Sequence, residues 1–249
     1  MSERGKWDGM LAIARFNWPF YVAALGVLLL SLAGIMVGGL FSLAAGFSVL
    51  VSAYFLIGSL GVSHLVYDCS DLYGWKWLER ALGNIRREKI TLCHSGFDEA
   101  SAMLKQKFPQ AAWSVLDHYD PVIMTEASIR RARKLFPPTE GTISARFDRW
   151  PLADSSQDVV FGMLAIHELR TDAGRVAWFA EAKRCLADDG KVILVEHVRD
   201  LANFVAFGPG FLHFHSVASW RKSWQVGGFN LDDSFRITPF VRVFVLKKS

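Results

Sequence analysis

The chain has 249 residues, 51% hydrophobic and 21% charged, with a net charge of +4. That length holds one α/β domain and something smaller, and the modest charge with no base-reading motif argues against nucleic acid as a partner. Cys69, Cys93 and Cys185 are widely spaced and form no C-x-x-C pair, which supports neither a zinc site nor a disulfide framework.

The apolar excess sits at the front. Residues 16–63 contain no Asp, Glu, Lys or Arg. Two runs, 18–37 and 40–62, are each long enough to cross about 30 Å of hydrocarbon as a helix, with Val37-Gly38-Gly39 as the break. The stretch is too long for a signal peptide, and a buried core hairpin would carry a polar edge. Trp18, Tyr21 and Tyr54 suit the headgroup level, and Gly26, Gly34, Ala45 and Gly46 offer small faces for close helix contact, including contact with a membrane-protein partner. Arg4, Lys6 and Arg15 precede the hairpin, and Lys76, Arg80, Arg86 and Arg87 follow it. With an uncharged connecting loop, the positive-inside rule puts both ends and the remaining chain in the cytoplasm. Residues 1–63 are thus expected to be a multi-pass hairpin in the lipid bilayer, 64–88 a connector and 89–249 a soluble domain.

The connector reads as one amphipathic helix over 64–82, with Leu72, Trp75, Leu78 and Leu82 on one side. Tyr73, Trp75 and Trp77 make it either an interfacial helix lying on the bilayer or a helix capping the domain. Tyr67, Asp68 and Tyr73 are also placed to cover a ligand pocket.

From residue 89 onward strands and helices alternate, the pattern of a mostly parallel sheet covered on both faces. Strands are expected at 90–93, 113–116, 142–145, 159–164 and 191–195, and helices at 97–108, 124–135 and 175–185. Asp189-Gly190 reads as a turn, and two late strands at 233–237 and 242–246 close the chain. Ser95 and Asp98 have capping-box spacing for the helix at 97–108. Asp117 stands at the end of the second strand, about 20 residues beyond the Ser95-Gly96 turn, which is the layout of nucleotide-type sites.

Four pieces carry a family resemblance. WPLADSSQDVVFGMLAIHEL (150–169), FAEAKRCLADDGKVILVEH (179–197), WRKSWQVGGF (220–229) and the final strand pair, in this order, resemble class I S-adenosylmethionine-dependent methyltransferases of the small-molecule and quinone-modifying group. The resemblance covers about residues 89–247. It implies a Rossmann-like, doubly wound, mostly parallel sheet with an antiparallel C-terminal edge hairpin, and S-adenosylmethionine as cofactor. The family's first motif reads acid-x-Gly-x-Gly-x-Gly. Aligned on Gly96, Ile90 stands at the acid and Leu92 and His94 at the earlier glycines, which normally let backbone approach the cofactor.

Two readings follow. In one, His94, Ser95, Gly96 and Asp98 form a variant cofactor turn, Asp117 binds the ribose and His118 flanks the adenine. In the other, cofactor binding is lost and the domain is a silent, membrane-tethered binding or assembly module. Asp148 is a candidate for the adenine amino group, although strict register puts Arg146 there.

Methyl transfer needs alignment and, for many acceptors, a base beyond the strand ends. His167-Glu168 and Glu196-His197 follow two such strands, and His167, Glu168 and His197 are the catalytic candidates. The segment 203–215, with Phe204, Phe207, Phe211 and Phe214, reads as an apolar lid over an acceptor pocket. His213 and His215 lack a third ligand by spacing, so no metal is expected. The expected acceptor is a hydrophobic or lipid-partitioning small molecule, methylated on O, N or S.

Overall fold

The computed structural model describes residues 5–249; Arg4, counted above among the flanking charges, lies outside them. Helix α1 (Asp8–Phe16) leads into α2 (Trp18–Ile35) and α3 (Gly39–His64). The two long helices span about 27 and 39 Å at 1.5 Å per residue, and both are apolar enough to cross a membrane by length and composition. They turn at Gly38 and Gly39, both at positive φ, which glycine accepts without strain. Two hydroxyl pairs tie them together, Tyr21–Ser59 at 3.1 Å and Ser31–Ser48 at 2.9 Å. Their outer surfaces are bare: Leu30 is 76% exposed, Phe47 70% and Ile57 74%.

Helix α1 was not foreseen in the sequence. Asp68 caps it from a distance, accepting from the Gly9 and Met10 amides at 2.7 and 3.0 Å. Phe16, at its end, packs edge-on against Phe97 and Phe136.

The connector is not one helix. A π-helical turn (Leu65–Cys69) ends α3, a bend follows, and α4 covers only Trp77–Leu82. The Ser70 hydroxyl donates to the Val66 carbonyl and accepts from the Leu72 amide, ending the helical run. Leu72, Trp75, Trp77, Leu78 and Leu82 are buried against the sheet. These side chains pack on the sheet in the manner of a domain cap.

The sheet runs β3-β2-β1-β4-β5-β7-β6. Its strands are β1 (Lys89–His94), β2 (Ala112–Asp117), β3 (Thr142–Ser144), β4 (Gln157–Met163), β5 (Leu186–His197), β6 (Phe229–Thr238) and β7 (Val241–Lys248). The first five pair in parallel and β7 runs antiparallel to both β5 and β6. Helices are α5 (Ser101–Lys107), α6 (Ala127–Leu135), α7 (Asp172–Cys185), α8 (Leu201–Phe207) and α9 (Val217–Val226). Alternate strand residues feed two cores. Cys93, Val160 and Leu194 meet Trp178 and Trp224 from α7 and α9, while Leu92, Phe161 and Val195 meet Leu78 and Leu104 from α4 and α5. This two-sided burial explains the near-continuous apolar strands.

The Asp189-Gly190 turn lies inside β5 as a bulge: Leu186 pairs with Gln157 and Lys191 with Val159, so the register shifts between them, and a side chain at Gly190 would meet both Leu186 and the Asp158 carbonyl at 2.8 Å. One local reading needs correction. The helix expected from residue 97 starts at Ser101, because the Asp98 carboxylate accepts from the Ala100 and Ser101 amides at 3.1 and 2.9 Å. Ser95 makes no capping bond.

Candidate functional site

Strand β1 delivers His94, Ser95 and Gly96 to the carboxyl edge of the sheet, opposite Asp117 at the end of β2. Gly96 sits at φ +92, and a side chain there would stand 2.9 Å from the Tyr119 ring, so only glycine fits. One Asp117 oxygen accepts from the Gly96 and Tyr119 amides at 2.9 and 3.0 Å. The other accepts from Arg133 of α6, whose guanidinium also lies 4.6 Å over the Tyr119 ring. A carboxylate offers about four lone-pair sites, and three are filled.

Around this carboxylate are buried polar atoms with no partner among the described residues: both ring nitrogens of His94, the Ser95 hydroxyl and His118 Nε2. His94 Nδ1 stands 3.5 Å from Asp117 but outside hydrogen-bonding geometry. Burial pulls His94 below its ordinary value, against the pull of Asp117. His118 donates from Nδ1 to the Ala145 carbonyl at 2.9 Å and stacks on Trp150. Burial lowers its pKa to about 4, so the ring is neutral and Nε2 is an acceptor. Asp98, spent on the α5 cap, and His94 and Ser95 line a cleft of about 500 Å³ (open solvent included), together with Tyr73, Leu164 and Glu168. Leu164 holds φ +49, a strained value for a leucine at the cleft wall. Asp148 is not brought to the cleft. Its carboxylate takes both donors of Arg146, at 2.8 and 2.7 Å, on an exposed loop.

A second cluster lies beyond β4 and β5. Glu196 is fully buried, and one of its oxygens accepts from the amides of Ala165, Ile166 and His167 at 3.3, 2.9 and 3.2 Å. Its other oxygen binds His167 Nδ1 at 2.7 Å, which fixes that nitrogen as the donor and turns Nε2 toward Glu168, 3.8 Å away. His213, from a 3₁₀ turn (Gly208–His213), binds Glu126 through Nδ1 at 2.9 Å and faces Glu168 through Nε2 at 3.6 Å. Burial works against its charge, but Glu126 and Glu168 outweigh burial and push its pKa up to about 9. Glu168, raised by burial, is carried below the usual carboxylate range by His213 and His167.

His197 and His215 take no part in the side-chain contacts that link His167, Glu168 and His213. His197 has both nitrogens engaged, Nδ1 donating to the Phe240 carbonyl at 2.9 Å and Nε2 accepting from Tyr67 at 3.0 Å. It stacks on Phe214 and burial lowers it to about 4, so in this arrangement it is a packed, neutral ring with no nitrogen free for an acceptor. His215 accepts from the buried Arg175 at 3.0 Å, apart from His213. Sequence reading missed Arg133, Glu126 and the anchoring by Glu196; no spacing rule links residues so far apart.

No protein-family model matches the chain, and no curated protein matches it. Solved structures do. A SAM-dependent methyltransferase from Aquifex aeolicus aligns with a TM-score of 0.52 and 13% identity over 71% of this chain and 90% of its own. The mitomycin 7-O-methyltransferase MmcR aligns at 0.58 and 14%, over 99% of this chain and 74% of its own. Geranyl diphosphate C-methyltransferase from Streptomyces coelicolor, solved with Mg2+, geranyl diphosphate and S-adenosyl-L-homocysteine, aligns at 0.51 and 11%, over 71% and 78%. At such identities the likeness is one of fold. With its seven-stranded mixed sheet and helices on both faces, the chain carries the Rossmann-like fold of S-adenosylmethionine-dependent methyltransferases.

Proposed function

We propose that this chain is a membrane-anchored S-adenosylmethionine-dependent methyltransferase acting on a hydrophobic or lipid-partitioning small molecule. The observation that carries the reading is the set of unpartnered buried polar atoms on His94, Ser95 and His118, gathered about Asp117 at the carboxyl ends of β1 and β2. Buried polar groups are ordinarily bonded, so atoms left orphaned at this edge fit a polar ligand. The open lone pair of Asp117 suits a ribose hydroxyl, His94 and Ser95 suit the amino-acid end, and His118 Nε2 can accept from an adenine amino group. Bound there, the cofactor supplies an electrophilic methyl group.

The chain's own residues do the rest. Glu196 holds His167 in the tautomer whose Nε2 can take a proton from an acceptor OH, NH or SH. Glu168 shares the wall of the same cleft. The apolar route to it runs along α8. Tyr54 of α3 donates to the Val205 carbonyl, and beside that contact Leu201 is 74% exposed and Val205 52%. Bare apolar surface continuous between α3 and α8 suits a bilayer face through which an apolar acceptor enters. The basic residues flanking the hairpin support a cytoplasmic side for this domain.

A second reading, a silent tethered binding module, draws on Leu92 and His94 at the usual glycine positions and on Arg133, which already occupies Asp117. Calorimetric titration of the protein in detergent with S-adenosylmethionine and S-adenosylhomocysteine, alongside Asp117→Ala, separates the two. Saturable binding lost in the variant is expected. A folded protein that binds neither ligand sinks the enzyme reading in favour of the module.

A further inference from the structure

We infer that His167, Glu168 and His213 form a binding site for one divalent transition-metal ion at the wall of the cleft. Their ligand atoms all lie within 4.8 Å of one another. Glu168 Oε1 stands 3.8 Å from His167 Nε2 and 3.6 Å from His213 Nε2. With metal–ligand bonds of about 2.0–2.1 Å, tetrahedral ligand atoms stand about 3.3–3.4 Å apart, so the two pairs that include Glu168 already lie within about 0.5 Å of that spacing, and the two histidine nitrogens, within 4.8 Å of each other, close on the ion by side-chain rotation.

The surroundings point to a metal more strongly than the triad does. A metal-binding histidine typically donates its second ring N–H to a carboxylate, which fixes the tautomer and turns the other nitrogen to the ion. Both histidines here have that partner: His167 Nδ1 on Glu196 at 2.7 Å, and His213 Nδ1 on Glu126 at 2.9 Å. Glu196 is in turn anchored by three backbone amides, far more support than a surface ion pair receives. The rings stand nearly perpendicular, 78° apart with centroids at 4.9 Å, and come from separate turns beyond β4 and α8.

Two imidazoles and one carboxylate with no thiolate suit Zn2+, Fe2+, Co2+ or Mn2+. Three protein ligands leave a coordination position, the pattern of catalytic rather than structural zinc, and one of the three, Glu168, lines the cleft. The ion's use rests on the methyltransferase reading; its binding does not. An acceptor OH or SH held on the ion has its pKa lowered. The O–H or S–H bond breaks with its proton passing to solvent water, the electron pair staying on the heteroatom. His167 then serves as ligand instead of base.

The test is a titration of the chelator-stripped full-length protein in detergent with Zn2+, and with Co2+ for its visible spectrum. One equivalent of saturable Zn2+ and a four- or five-coordinate Co2+ spectrum are expected. Glu126→Gln, a change at a partly exposed side chain, should weaken Zn2+ about 10–100-fold with unfolding unchanged. His213→Ala should abolish the site and Cys69→Ser should leave it intact. Absence of saturable binding, a six-coordinate aqua-type Co2+ spectrum, or equal affinity in wild type, Glu126→Gln and His213→Ala would overturn the inference and leave a protonated His213 bridging two carboxylates. S-adenosylmethionine calorimetry on the same metal-free sample reports the cofactor reading separately, so either can fail alone.

Discussion

His118 makes the neutral interior at the carboxyl ends of β1 and β2 measurable. Its ring is buried, stacks on Trp150 and bonds the Ala145 carbonyl, with His94 and Asp117 the nearest titratable groups. Burial drops its pKa from 6.5 to about 4. Because the folded value lies below the unfolded one, the unfolded chain binds the extra proton. The stabilisation is therefore fully present above about pH 6.5 and is lost as the pH falls toward about 4. Between pH 7 and pH 5 that loss is about 2 kcal/mol, or about 4–8 °C of melting temperature for a chain of this size. His94, His197 and His215 are lowered in the same direction, so the wild-type slope contains their contributions too. His118→Gln isolates the His118 share, since the amide keeps a donor for Ala145 and never charges. Melting curves at pH 7 and pH 5 should show the wild type losing several degrees more than the variant. Parallel losses in the two proteins would refute the reasoning, as would a His118 ring resonance titrating near 6.5.

Two further outcomes follow from the same geometry. Gly96→Ala places a Cβ 2.9 Å from Tyr119 at a positive φ, and should cost about 1–2 kcal/mol in backbone strain, plus the displaced Tyr119–Arg133 contact; an unchanged denaturation midpoint would contradict the turn as described. In a Cys69→Ser background reconstituted in a lipid nanodisc, cysteine at Val205 should resist a water-soluble maleimide, while cysteine at Asp188, almost fully exposed, reacts quickly. Equal rates would remove α8 from the bilayer face.

The sheet was legible because strands buried on both faces leave short apolar runs that no solvent-facing element imitates. Strands β1, β2, β4, β5 and β7 fall where those runs lie, while β3 and β6, at the two edges, are largely exposed or half-buried, and the long helices announce themselves by the absence of charge over 16–63. What could not be read depends on contacts remote in sequence. Helix α1 is capped by Asp68, 59 residues from Gly9, so its start has no local signature. The connector keeps a helical apolar period through Leu72 and Trp75 although Ser70 and the positive φ of Trp75 break the helix, because both residues are buried by the bend itself. At the second cluster His213 meets Glu126 across 87 positions. Motif spacing finds ligands within one element, and here the partners come from separate loops.

Asp117 and Glu196 show one physical device used twice. A parallel strand that ends in a turn leaves backbone amides at the sheet edge with no strand partner, and buried amides demand one. Asp117 at the end of β2 accepts the Gly96 amide from the turn after β1, its parallel neighbour. Glu196 at the end of β5 accepts three amides from the turn after β4, also its parallel neighbour. In each case the carboxylate's second oxygen is left for a side chain, Arg133 in one and His167 in the other. The two ends differ in what that oxygen meets. Arg133 reaches Asp117 from α6, a helix whose side chain is 30% exposed and can swing away, so a ligand hydroxyl can compete for the place. His167 belongs to the turn that Glu196 itself anchors, so nothing can displace it without unmaking the turn. The first carboxylate can exchange partners and the second holds one, which, under the proposed function, is the division of labour expected between a binding edge and a positioned catalytic group.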